Sequence, residues 1–124
     1  MSQEFIFEYN GSKFEFDLAD ADASEKYENA IDVMSEEEKT VPKTGKLSGI
    51  YRAQCALIKH FFDNVLGEGA GNKICGEKDI ITDCYKAYDA FLEFVGGQRD
   101  RILNVKNSVA KYSNRAQRRA ANKK

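Results

Sequence analysis

The stretch Phe5-Ile6-Phe7-Glu8-Tyr9-Asn10-Gly11-Ser12-Lys13-Phe14-Glu15-Phe16-Asp17-Leu18 decides the fold class. Phe5, Phe7 and Tyr9 alternate with Ile6 and Glu8, and Phe14, Phe16 and Leu18 alternate with Lys13, Glu15 and Asp17. Period-two alternation with aromatic side chains marks strands that bury one face. Asn10-Gly11 sits between the runs, and this pair takes the positive φ values of a type I′ turn most readily. A β-hairpin over residues 3–18 is therefore expected. A lone two-stranded hairpin is marginal in water, so another element must cover it.

The cover is read from the next segment. Asp20-Ala21-Asp22-Ala23-Ser24-Glu25 is rich in capping and first-turn acids. Tyr27, Ala30, Ile31 and Met34 follow at helical spacing and predict a helix over about 21–37. Thr40-Val41-Pro42-Lys43-Thr44-Gly45 holds the only proline and reads as a linker. A second helix, about 46–66, carries Leu47, Ile50, Tyr51, Cys55, Ala56, Ile58, Phe61, Phe62, Val65 and Leu66 and is apolar enough to be central. Gly67-Glu68-Gly69-Ala70-Gly71-Asn72 reads as a turn. A third helix, about 77–95, has the stripe Ile80, Ile81, Cys84, Tyr85, Tyr88, Phe91, Leu92 and Val95. Gly96-Gly97 is expected to interrupt it, with a further helix over 98–112 that carries Ile102, Leu103, Val105 and Val109. Residues 113–124 have helix formers but no apolar face and are expected to be frayed or disordered when free. The expectation is one α+β domain over residues 1–112, a hairpin on a small helical bundle, with a basic tail at 113–124.

With 124 residues the chain suits a single domain. Its net charge of −1 conceals a strong polarity. Residues 1–45 hold 12 acidic and 4 basic side chains, residues 46–97 hold 7 and 6, and residues 98–124 hold 1 and 9. Such a chain can attract a copy of itself or bind partners of opposite sign. No apolar run approaches the ~20 residues of a membrane span. The start, Met1-Ser2-Gln3-Glu4, has no secretory signal. Three cysteines without a paired spacing argue against a disulfide framework and a zinc site, and fit free thiols in a cytoplasm.

Little here points to catalysis or to a cofactor. His60 is the only histidine, and it sits in the middle of a core helix, where a base with its orienting partner is hard to build. The glycines at 67–71 lack the strand before them and the Gly-Lys-Ser/Thr that a phosphate loop requires. Asp17, Asp20 and Asp22 lack the central glycine of a calcium loop and read as helix capping. Phe5, Phe7 and Tyr9 are flanked by Glu4, Glu8 and Glu15, which repel the phosphates of RNA. The remaining signal is basic: Arg115, Arg118, Arg119, Lys123 and Lys124 are the candidate partner-binding residues. They could meet an acidic protein or neutralise phosphates.

Phe14-Glu15-Phe16-Asp17-Leu18-Ala19-Asp20-Ala21-Asp22 with Glu25-Lys26-Tyr27-Glu28-Asn29-Ala30 resembles small proteins of the tail-gene region of siphophages that infect Gram-positive bacteria. Asn114-Arg115-Ala116-Gln117-Arg118-Arg119-Ala120 resembles the basic C-terminus of phage tail assembly chaperones. The resemblance covers the first 30 residues and the last dozen. It implies a helical, non-enzymatic protein of the host cytoplasm that binds the tape measure or other tail proteins, and the charge polarity would support self-assembly into a homo-oligomer along such a client. Two other readings stand beside it: a nucleic-acid-binding accessory protein that uses the basic tail, and an acidic inhibitor of a host enzyme.

Overall fold

The computed structural model describes the backbone of residues 3–122 and the side chains of residues 4–111. A 3-10 turn at Gln3–Phe5 leads into strand β1 (Ile6–Tyr9), which pairs antiparallel with β2 (Ser12–Glu15). Four helices follow: α1 (Ala21–Glu38), α2 (Leu47–Leu66), α3 (Ala70–Cys75) and α4 (Ile81–Asn122). This is the expected α+β architecture, a hairpin followed by a helical body.

The hairpin forms for the reason its sequence gives. Asn10 and Gly11 take φ of 54° and 79°, as a tight turn with right-handed strand twist demands. Phe7 pairs with Phe14 across the ladder, and Tyr9 with Ser12. Phe7 and Phe16 are buried while Glu8, Lys13 and Glu15 are exposed. The sequence points to α1 as the nearest cover, or to the central helix α2. The observed cover is chiefly α4: Phe91 meets Phe7 at 5.1 Å and Phe16 at 5.6 Å between ring centroids. Tyr27 of α1 reaches only the edge of this group, 6.2 Å from Phe16.

Phe91 is the hub of the core. It is fully buried and lies within 6.3 Å of six other rings, those of Phe7, Phe16, Tyr27, Phe61, Phe62 and Phe94. Edge-to-face geometry dominates these contacts, which sets the electropositive edge of one ring against the negative face of another.

The connection from α2 to α4 is not the simple turn expected. Gly69, with φ of 90°, caps the short helix α3. Gly71 packs so close to α2 that an added Cβ would sit 2.4 Å from the Lys59 carbonyl oxygen. Its N–H donates to the Asp63 carboxylate at 2.7 Å. Gly76, with φ of 92°, ends α3, and the chain bends at Glu77-Lys78 before reaching Ile80, so α4 starts at Ile81 rather than at 77. Lys59 fixes this segment by an ion pair to Asp79 at 3.0 Å and hydrogen bonds to the Glu77 and Lys78 carbonyls.

The expected break at Gly96-Gly97 is absent, and one helix runs through both glycines. A helical glycine costs about 1 kcal/mol relative to alanine. Here Val95 and Gln98, buried on either side of the pair, hold the helix to the body. That docking outweighs the local penalty.

Candidate functional site

Helix α4 has two halves that meet at Gln98. From Ile81 its inward positions recur at intervals of three and four: Ile81, Cys84, Tyr88, Phe91, Val95, Gln98. This is the heptad spacing that keeps one face turned to a neighbouring surface. The spacing continues past Gln98 through Ile102, Val105 and Val109. Yet every side chain from Arg99 to Lys111 is exposed. Val105 is 64% and Val109 59% accessible, although both occupy the same helical face as the buried Phe91. Thirteen residues at 1.5 Å per residue make this outer segment about 20 Å long.

Gln98 explains where the body ends. Its side chain is 3% accessible, the one buried polar side chain among the described residues. Its Oε1 accepts the Leu18 N–H at 2.7 Å. Its Nε2 donates to the carbonyl oxygens of Phe16 at 2.7 Å and Glu4 at 2.8 Å. A buried amide is tolerated only when its donors and acceptors find partners, and here they do. The amide thus satisfies three backbone groups where the chain enters and leaves the hairpin. Arg101, one turn on, adds an exposed ion pair to Glu4 at 3.1 Å, of the kind worth at most about 1 kcal/mol.

Beside this seam lies an open groove of roughly 370 Å³. Phe5, Ala19, Ile102 and Val105 give it an apolar wall, and Glu4, Asp17 and Arg101 rim it. The groove carries the stripe of α4 from the body onto the outer segment without a gap. The outer segment also bears Arg99, Lys106 and Lys111 against a single acid, Asp100. Its chemistry is an apolar seam with cationic flanks, a surface suited to gripping another chain.

The residues singled out by sequence fall further along. Helix α4, bounded at Asn122, includes Arg115, Arg118 and Arg119, but their side chains lie outside the described residues, as Lys123 and Lys124 do entirely. The sequence gives Ile102, Leu103, Val105 and Val109 as apolar positions of a separate helix after the glycine pair, not as a binding face. The signal was present as an unbroken three-four spacing, masked by the expectation of a break at Gly96-Gly97.

Elsewhere the described side chains form no reactive constellation of the kinds considered. His60 is half exposed, and its Nδ1 lies 2.5 Å from the Glu37 carboxylate, a link between α1 and α2. Cys55, Cys75 and Cys84 are free thiols, buried together where α2, α3 and α4 meet. Burial pushes Cys55 up to about 12 and Cys75 and Cys84 up to about 11, which suppresses the reactive thiolate. No group of three or more His, Cys, Asp or Glu among the described residues could hold a metal ion. No described helix is long and apolar enough to cross a membrane.

Neither a curated protein nor a solved structure matches the chain. A family model does match, over residues 10–122, and so spans the Asn10-Gly11 turn, the second strand, the helical body and the outer segment together. The chain belongs to the family of unknown function DUF6673.

Proposed function

We propose that the chain is a non-enzymatic assembly factor that acts by binding another protein through the outer segment of α4. The observation that carries this reading is the exposed continuation of the core stripe at Ile102, Val105 and Val109. A face of three aliphatic side chains on a helix that its own fold leaves bare is costly to keep in water. Helix-in-groove and coiled-coil recognition use such a face, with anchors at helical spacing. The body behind it is built as a stable mount, since Phe91 and Gln98 fix α4 up to the point where it departs.

The biological setting follows from the resemblance of the two chain ends to siphophage tail-region proteins and tail assembly chaperones. In that setting the partner is the tape measure or another tail protein, and the chain works in the host cytoplasm. The basic side chains of 98–124 also favour a second reading, nucleic-acid binding, which salt-dependent capture of duplex DNA or RNA would support. The gene order tests the setting first: a tape measure gene should lie immediately downstream. Co-expression tests the activity. The tape measure protein should be soluble and co-purify with the chain, and be insoluble alone. Equal solubility with and without the chain, and no co-purification, would rule the chaperone reading out.

A further inference from the structure

The charges that flank the outer stripe specify what kind of helix can cover it. With Ile102 and Val109 at the first position of successive heptads and Val105 at the fourth, the seam is edged by the fifth and seventh positions. These are Arg99 and Lys106 on one edge and Arg101 and Ser108 on the other. Every charged edge residue is a cation. In a two-helix coil the edge residues of one strand meet those of the other, whichever way the strands run. Two copies of this segment would therefore set Arg and Lys against Arg and Lys along a short seam. Like charges at these positions are a standard device against self-pairing.

We propose that the outer segment of α4 is one strand of a heterotypic coiled coil whose other strand is an acidic amphipathic helix of the bound protein. The inference deepens the reading of this segment as a binding element and rests on it. The partner helix carries aliphatic residues at heptad spacing, with Glu or Asp at its edges to meet Arg99 and Lys106, while Arg101 is already paired with Glu4. The acids of this chain's own α1 do not provide that strand. Tyr27, Ala30, Ile31 and Met34 of α1 are already packed in the body, so its outer face offers charge without an apolar seam. The groove between Phe5 and Val105 extends the site toward the body and has room for side chains at one end of the incoming helix.

The test uses the full chain and two designed peptides of about four heptads. Both carry Ile and Leu in the seam; one has Glu at all edge positions and the other Lys. In fluorescence anisotropy at about 0.1 M salt, the Glu peptide should bind at least ~10-fold more tightly than the Lys peptide. The preference should shrink at ~1 M salt, where charges are screened beyond about 3 Å. Sedimentation should find the chain alone to be a monomer. The double variant V105E/V109E should keep the melting temperature and lose the Glu peptide. Equal binding of both peptides, no binding of either, or tighter binding of duplex DNA than of the Glu peptide overturns the proposal. So does a dimer that V105E/V109E dissociates, or a large fall in melting temperature in that variant. If the tape measure protein still co-purifies with V105E/V109E, the chaperone reading survives and this site does not. If the Glu peptide binds but the tape measure does not, the reverse holds.

Discussion

The two halves of α4 share one helical register and one pattern of apolar spacing, but only the first is part of the core. In residues 81–98 the stripe ends in Phe91, which is surrounded by six rings, and in Gln98, which is bonded to three backbone groups. In residues 99–111 the same spacing presents Ile102, Val105 and Val109 to solvent. An apolar stripe therefore predicts that a helix face will be covered without saying by what. The covering partner belongs to the same chain only as far as the hairpin and α2 reach.

The contrast is broken most sharply by paired truncations. Phe91→Ala should destabilise the protein by about 3–5 kcal/mol, the range for removing a buried aromatic ring. Val105→Ser, on the same face of the same helix, should change stability by no more than about 0.5 kcal/mol. Urea denaturation of both variants decides the matter. Comparable losses would show that the outer half also belongs to the core.

Alkali should also attack the inner half selectively. Burial raises the thiols of Cys55, Cys75 and Cys84, and those of Cys75 and Cys84 reach about 11. Above about pH 9 the unfolded chain sheds these protons while the folded chain holds them, so stability falls as pH rises toward 11. Burial raises Tyr27 and Tyr88 as well, and this adds to the loss at higher pH. Denaturant midpoints at pH 7 and pH 10 should differ accordingly, and replacing Cys84 with Ala should reduce the difference. A midpoint that stays constant over that interval would contradict the burial of the three thiols.

Gln98→Leu probes the boundary itself. The substitution keeps the volume but leaves the Leu18 N–H and the Phe16 carbonyl without partners. A loss of about 2–4 kcal/mol is expected, from two unsatisfied buried backbone groups. Proton exchange at the Leu18 amide should speed up with it. A neutral result would mean that water replaces the amide there.

The smallest effect concerns the glycine pair. No heavy atom lies within 4 Å of a Cβ added at Gly96. Gly96→Ala should therefore stabilise the protein by about 1 kcal/mol, through helix propensity alone. A loss of stability would indicate that the helix bends at this point in solution.

The parts of this fold that were legible in the sequence are local ones. Asn10-Gly11 between alternating aromatics specifies the hairpin turn, and Tyr27, Ala30, Ile31 and Met34 specify α1, because spacing and turn chemistry act over a few residues. The continuity of α4 was not legible, because Gly96-Gly97 carries a local signal for a break that docking of Val95 and Gln98 overrides. Gln98 itself gave no signal. An amide within an apolar stripe looks like a surface residue until its partners, 80 or more positions away, are placed. The bareness of the outer segment is hidden for the opposite reason: its spacing is that of a buried helix, and only the body's extent shows that none of the described residues covers it.

The bonds at Gln98 also set a schedule for synthesis. Leu18 is held by a residue 80 positions later, and Glu4 by the same residue 94 positions later. A ribosome adding 5–20 residues per second needs roughly 4–19 s to make that interval. For most of it Phe91 has not yet been made, and a two-stranded sheet with Phe7 and Phe16 facing water is marginal by itself. The nascent chain therefore carries a wet aromatic edge until α4 is made. Glu8, Lys13 and Glu15 line the opposite face of the same strands, and charges on a strand disfavour its pairing with a neighbouring chain.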